Sequence, residues 1–234
     1  METKNKELFL TMPRLNQIPY LVHGFGTAGW KESDFKRKKQ GENFKPVFLK
    51  QIHSDRIHFI DKVPSKKLAG DALVTSLPFL LLTIKTADCL PVLIVDEQRR
   101  VIAAVHCGWR GTVKRVLEKA IKGLKEHYGS SPSTLLVAFG PCIGPKCYEV
   151  GEDVRQSFAE AEFSDFIFRR HPEHPGKYFL DLREANLLQL RSQGVPEKNI
   201  YVVDNCTHCS NIYYSYRRNK NKKARMLSFI GLSF

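Results

Sequence analysis

A chain of 234 residues, 42% of them hydrophobic, can bury a full core, which excludes a disordered protein and a small disulfide-stapled scaffold. The apolar stretch at 77–84 is broken by Pro78 and Thr83 and is too short to span a bilayer, and Met1-Glu2-Thr3-Lys4-Asn5-Lys6 leads into no secretory h-region. A soluble cytoplasmic protein is therefore expected, with a formal charge of +13 to account for.

In chain order, the first predicted strand covers 47–49 and runs into Gln51-Ile52-His53. A second, at 79–84, is followed by Thr86-Ala87-Asp88-Cys89. Strands at 92–95 and 102–105 come next, the latter leading into His106-Cys107-Gly108-Trp109-Arg110-Gly111. Thr112 is the expected N-cap of a helix whose Val113, Val116, Leu117, Ala120, Ile121 and Leu124 share one face, with Lys122, Lys125 and His127 near its far end.

A strand at 135–139 precedes the Pro/Gly loop Gly140-Pro141-Cys142-Ile143-Gly144-Pro145. Helices are predicted over 152–163 and from Asp181, where Glu184 completes a capping-box spacing, to Gly194 before Pro196. A last strand at 201–203 precedes Tyr213-Tyr214-Ser215-Tyr216-Arg217-Arg218. Strands and helices mix without strict alternation, and no long linker divides the chain, so one α+β domain with mixed sheets is expected over 1–234.

Three of these element ends carry a borderline or soft metal ligand: His53, Cys89 and His106. Two imidazoles and a thiolate suit zinc, and three protein ligands leave a position open for water or substrate, as catalytic zinc requires. Copper fits less well. A blue-copper site needs a weak axial ligand, and Met1, Met12 and Met226 are remote in sequence; no two histidines are separated by a single residue, as paired ligands of a trinuclear centre would be.

The turn after His106 also suggests an anion site. Gly108 and Gly111 permit close backbone approach at a helix start, and Arg110 can grip a phosphate or carboxylate. Cys142 is expected to line the pocket rather than act as a nucleophile. Tyr214 and Arg217 can stack on a purine and hold its sugar or phosphate, while a half-buried strand explains the same segment equally well.

Six cysteines in a reducing compartment read as thiols, ligands or nucleophiles rather than disulfides. Cys206-Thr207-His208-Cys209 is a CxxC, but no second CxxC is present to complete a zinc ribbon. The positive charge gathers in Lys36-Arg37-Lys38-Lys39 and in the segment 217–225, neither within a nucleic-acid recognition motif. Basic loops that attract anionic small molecules are preferred to specific nucleic-acid binding.

The ordered series Gln51-Ile52-His53-Ser54-Asp55, Gly70-Asp71-Ala72-Leu73-Val74-Thr75, Thr86-Ala87-Asp88-Cys89-Leu90-Pro91, His106 to Gly111, Gly140 to Gly144 with Cys147-Tyr148-Glu149-Val150, and Ser215-Tyr216-Arg217-Arg218 resembles the polyphenol oxidase or laccase-domain family, which includes the peptidoglycan editing factor. The resemblance runs from about His23 to Arg218. It implies a four-layer α/β/β/α fold, zinc at His53, Cys89 and His106, and phosphorolysis of adenosine, inosine or guanosine, with adenosine deaminase and methylthioadenosine phosphorylase activities. Purine nucleosides and phosphate are then the expected partners.

The chain departs from the family pattern at three places. Ala28 follows His23-Gly24-Phe25-Gly26-Thr27 where the pattern has Arg, Trp30 and a basic run replace a glycine-rich stretch, and Cys107 replaces Ala. Arg37 or Arg110 is expected to supply the missing cation.

Asp88 is the expected proton-transfer partner in either purine reaction, with a scaffold role as its alternative. Two rival functions remain open at this stage. One is a metal-free hydrolase or deamidase with Cys89 as nucleophile and His106 as base. The other is a basic nucleic-acid-binding module.

Overall fold

A computed structural model of the chain describes residues 8–36, 43–221 and 223–234. Arg37, and with it the basic run after Lys36, lies outside them. In chain order the strands are β1 (Phe9–Leu10), β2 (Leu21–Gly26), β3 (Lys45–Lys50), β4 (Ile57–Phe59), β5 (Leu68–Ala69), β6 (Ala72–Thr75), β7 (Leu80–Thr86), β8 (Leu90–Asp96) and β9 (Val101–Cys107). Helices α1 (Trp109–Val113) and α2 (Val116–Tyr128) lead to β10 (Leu136–Phe139) and β11 (Glu149–Gly151). Then come α3 (Glu152–Glu160), β12 (Phe168–Arg170), β13 (Lys177–Leu180), α4 (Leu182–Ser192), β14 (Ile200–Val202), α5 (Tyr216–Asn219) and β15 (Met226–Leu232).

Two six-stranded sheets, β1-β2-β15-β7-β3-β5 and β14-β10-β8-β9-β6-β4, stack face to face, and β11-β13-β12 forms a small third sheet. Both main sheets mix parallel and antiparallel pairs. The pleat sorts side chains between layers. Leu93 and Val95 of β8, Ile102 and Ala104 of β9, and Leu136 and Ala138 of β10 enter the core between the sheets, with Leu82, Ile84 and Ile230 opposite. Their alternates, Val92, Ile94, Ala103, Val105, Val137 and Phe139, face the helices. Burial on both faces is why these strands read as continuous apolar runs.

On the helix side, Val116, Leu117, Ala120, Ile121 and Leu124 of α2 complete that second core. Each such side chain contributes about 1.5–3 kcal/mol on full burial, except the smaller Ala. Gly123 lets Phe59 pack against the helix, since a Cβ there would sit 2.5 Å from its ring. The outer face of the first sheet is covered by the 3-10 segment Glu32–Lys36 and an aromatic cluster of Trp30, Phe35 and Phe229. The expected four-layer α+β sandwich is thus present, with mixed sheets and a thin outer layer over β15.

Each predicted strand falls on an observed one. The predicted helix start does not. Helix begins at Trp109 with Gly108 as its N-cap, and Thr112 lies inside it, fully buried, accepting a hydrogen bond from Asn186 at 3.0 Å. A break then follows at Arg115, whose left-handed φ of 59° separates α1 from α2. Its guanidinium is held by the Ala161 carbonyl at 2.7 Å and stacks 4.5 Å from Phe163, interactions with distant residues that helical periodicity does not encode. The Asp181 cap is as expected, its carboxylate accepting from the Glu184 amide at 2.9 Å. The third helix ends early, at Glu160 rather than at 163. No described helix is long and apolar enough to cross a membrane.

Candidate metal centre

Strand register brings the three ligands together. β8 pairs with β9 so that Leu90 faces Cys107 and Pro91 faces His106. Cys89, one residue ahead of β8, therefore sits beside the end of β9. β7 and β3 run parallel in the other sheet, so His53, three residues past β3, and the β7–β8 crossover emerge at the same edge. The ligand atoms of His53, Cys89 and His106 all lie within 4.8 Å of one another. The two imidazoles meet edge to face at 4.9 Å.

Asp71, immediately before β6, organises this set. Its Oδ1 is 2.8 Å from Nδ1 of His106 and accepts the His53 amide at 3.1 Å. Oδ2 accepts from the amide and hydroxyl of Ser54 at 2.6 and 2.7 Å. These bonds hold His53 at a φ of 55°, a left-handed conformation rarely adopted by a histidine. Burial would raise the Asp71 carboxyl, but His106 and Ser54 outweigh it and bring it down to about 2.

Burial also works against charge at the ligands. For Cys89 it is outweighed by the charge and hydrogen bond of His106, then those of His53, so the thiol falls to about 6. For His106 it is outweighed by Cys89 and Asp71, so the imidazole rises to about 9. The metal-free centre thus pairs a thiolate with the His106 imidazolium, and a metal bound there would take the place of that proton.

The donor set passes a geometric test as well. Gly108 is the only residue type that fits beside it without a shift, since a Cβ would lie 3.1 Å from both Cys89 Sγ and His53 Cδ2. The set opens onto a cavity of about 580 Å³, lined also by Lys50, Gln51, Lys67, Lys85, Thr86, Tyr216 and Arg225. That volume lies within the range of small-molecule sites, about 300–1,000 Å³. Gln51 is locked to β7, its Nε2 donating to the Lys85 carbonyl at 2.8 Å and its Oε1 accepting from the Lys85 amide at 2.7 Å. Thr86 Oγ1 is buried at the wall and has no hydrogen-bond partner among the described residues. Met12 and Met226 are both buried and neither lines the cavity, so no axial thioether of the blue-copper kind is supplied by them.

The other sequence candidates fall around this centre rather than in it. Arg110 is exposed, its guanidinium 4.3 Å from the Trp109 ring, and does not line the cavity. α1 has only five residues, so the positive charge near the ligands comes from cavity side chains and not from a helix terminus. Cys142 is buried behind the wall, its thiol 4.0 Å from Arg183 and pushed up to about 12 by burial. Arg217 reaches over the Tyr148 ring at 5.5 Å, and burial raises the Tyr148 phenol. Tyr214 lines an adjacent hollow that shares Lys85 and Arg225 with the cavity. Cys107 faces the helix-side core with no exposure, a packing residue.

Asp88 uses both carboxylate oxygens on structure. Oδ1 accepts from Thr207 Oγ1 and Oδ2 from the Arg217 amide, each at 2.7 Å, at a backbone φ of 86°. Sequence reasoning missed Asp71, Lys50, Lys67, Lys85, Thr86 and Arg225 as site residues. Asp71 and Thr86 stood inside quoted motifs and Arg225 ended the basic segment 217–225, whereas Lys50, Lys67 and Lys85 converge from separate segments and carried no signal.

A two-sheet sandwich with a three-ligand set at a sheet edge, opening onto a basic cavity, defines the class of protein. Residues 33–233 match the family described as multi-copper polyphenol oxidoreductase laccase, and the chain belongs to that family. Among its relatives, a purine nucleoside phosphorylase of Clostridium acetobutylicum is 38% identical over 202 residues, covering 84% of this chain and 81% of that one. An adenosine deaminase from an unknown prokaryotic organism is 36% identical over 183 residues, covering 74% and 69%. The crystal structure of the hypothetical protein YfiH of Bacillus licheniformis superposes with a TM-score of 0.87 at 27% identity, covering 98% of both chains.

Proposed function

We propose that this protein is a zinc-dependent purine nucleoside phosphorylase that also deaminates adenosine. One observation carries the reading: the His53, Cys89 and His106 set opens into the cavity to which Lys50, Lys67, Lys85 and Arg225 all contribute. Lys85 is ion-paired with Glu32 at 3.0 Å, but a neutral nucleoside gives no reason for Lys50, Lys67 and Arg225 around the same cavity, whereas a phosphate dianion does. The relatives named for purine phosphorolysis and adenosine deamination support the same chemistry.

In phosphorolysis a phosphate oxygen forms a bond to the ribose anomeric carbon as the bond from that carbon to the purine nitrogen breaks. The cavity cations bind and orient the phosphate. Tyr216, at the cavity mouth, offers a ring for the purine to stack on. His53, Cys89 and His106 would hold the zinc, which would supply Lewis acidity to the bound substrate. Asp71 keeps Nδ1 of His106 engaged, leaving the other ring nitrogen for coordination. Asp88 holds the loop that carries Tyr216 and Arg217 and is assigned to positioning rather than to proton transfer. A cytoplasmic setting suits a centre that depends on a free thiolate.

The test is a nucleoside panel on metal-analysed protein, with and without phosphate. Adenosine, inosine or guanosine should give free base and ribose 1-phosphate only when phosphate is present. Free ribose released equally fast without phosphate would make the enzyme a hydrolase. The hydrogen bond between Cys89 and His106 also suits a metal-free cysteine hydrolase. Full turnover by protein stripped of metal would establish that alternative.

A further inference from the structure

Away from the cavity, the structure completes a ligand set that the sequence leaves unfinished. Cys206, His208 and Cys209 lie on the loop after β14, and Cys147 lies on the loop after β10, 59 residues before Cys206 in sequence. The two loops are stitched together. Cys142 and Cys206 form a parallel bridge, the Thr207 amide donates to the Cys142 carbonyl at 3.0 Å, and the Gly144 amide donates to Cys206 Sγ at 3.2 Å. Gly144 makes this approach possible, since a Cβ there would be 3.3 Å from Cys206 Cβ.

As a result, the ligand atoms of Cys147, His208 and Cys209 lie within 4.8 Å of one another, with Cys147 Sγ 3.3 Å from Cys209 Sγ. The chain therefore gathers two thiols and an imidazole at one point, with the Cys206 thiol on the same pair of loops.

We propose that Cys147, His208 and Cys209 hold a second metal ion and that the neighbouring Cys206 turns its thiol in as the fourth ligand, giving a closed structural zinc centre distinct from the open one at His53, Cys89 and His106. The donor set is the Cys₃His type, and Cys206 and Cys209 have the usual two-residue ligand spacing. Two thiolates on one tetrahedral zinc stand about 3.8 Å apart, given zinc–sulfur bonds of about 2.3 Å. The observed 3.3 Å is closer to that than to a disulfide bond of about 2.05 Å. Packing does not explain the cluster, because structural free cysteines are normally buried, whereas Cys209 is exposed and Cys147 and Cys206 are only partly covered.

A metal here would act on the open site through the loop it clamps. Thr207, between two of the ligands, holds Asp88. The Arg218 guanidinium donates to the carbonyls of Thr207, His208, Ser210 and Tyr213. The next turn carries Tyr216 into the cavity.

The experiment uses the full chain, purified under reducing conditions, with zinc measured by mass spectrometry and then exchanged for cobalt. Wild type should hold two zinc ions, and C206S should hold one and lose the stronger thiolate-to-cobalt absorption. C89S should keep that absorption, about three times that of a single-thiolate site if it scales with the number of sulfur ligands. Should C206S fail to fold, the C89S chain still reads the second site alone. One cobalt with a strong thiolate band supports the proposal, and no cobalt overturns it. A wild-type chain that holds a single zinc, lost entirely in C89S, also overturns it. So does zinc content unchanged in C206S and C209S, with Cys147 and Cys209 joining in a disulfide on mild oxidation.

Discussion

The Asp71 carboxylate lies 2.8 Å from Nδ1 of His106 and at the same time accepts the backbone amide of His53 at 3.1 Å. One side chain therefore sets the ring of one ligand and the backbone of another. Asp71→Asn should weaken zinc binding about 10- to 100-fold, the usual cost of losing a carboxylate behind a metal-bound histidine. Competition with a chromophoric chelator measures this directly. Unchanged affinity would show that Asp71 serves only the 52–54 turn.

Gly108 is tested by its own absence of a side chain. A Cβ there meets Cys89 Sγ and His53 Cδ2, each at 3.1 Å, so Gly108→Ala should spread the ligands by a few tenths of an ångström. Its φ of −78° is open to alanine, which keeps the fold intact. Zinc affinity should fall while the melting temperature of the metal-free protein stays near wild type. A matching loss of stability would place the strain in the scaffold instead.

Thr86 tests the cost of a buried hydroxyl at the cavity wall. Its Oγ1 is closed off from solvent and has no hydrogen-bond partner among the described residues, so Thr86→Val should leave stability unchanged or raise it. KM for phosphate and for nucleoside should stay as in wild type, because the hydroxyl does not face the cavity. Urea unfolding and initial rates at varied phosphate and nucleoside check both outcomes. A loss of stability, or a raised KM, would show that the hydroxyl is bonded.

Acid stability should depend on His23. It is buried in β2, its Nε2 accepts the Met12 amide at 2.9 Å, and burial lowers its pKa from 6.5 to about 4. Between those values the unfolded chain binds more protons than the folded one, so stability falls as pH falls. From pH 7 to pH 5 the loss is about 2 kcal/mol from this group. Urea midpoints at the two pH values should therefore converge in His23→Gln, and an identical pH slope in both proteins would refute the assignment.

How much of this was legible in the sequence depended on how local each signal was. The strands buried on both faces announced themselves as apolar runs, and the Asp181 cap as a spacing of three residues. β15 was passed over although it is central to its sheet, because Gly231 and the polar residues before Met226 obscure a seven-residue run. The break at Arg115 depends on Ala161 and Phe163, contacts between residues far apart in the chain. The ligand trio was visible because each member ends an apolar run. The cavity cations were not, since Lys50, Lys67, Lys85 and Arg225 look like ordinary surface charges until four separate segments meet. The Cys206 CxxC looked incomplete for the same reason, its third thiol being supplied by Cys147.

Asp88 separates positioning from proton transfer most sharply. Its two oxygens accept from Thr207 Oγ1 and the Arg217 amide, and asparagine retains only one of those acceptors. Asp88→Asn should therefore cost about 1–3 kcal/mol of stability, the penalty for leaving a buried donor unpaired. Turnover should fall with it, as the loop carrying Tyr216 loosens, while zinc content is kept. Thr207→Val removes the partner of one oxygen, and in a double-mutant cycle the two changes should be strongly non-additive in both melting temperature and turnover. The pH–rate profile should keep its shape, because a group that only positions a loop adds no ionisation to the reaction. If Asp88→Asn instead melts like wild type, loses turnover and loses one limb of that profile, Asp88 carries a proton and the positioning role is wrong.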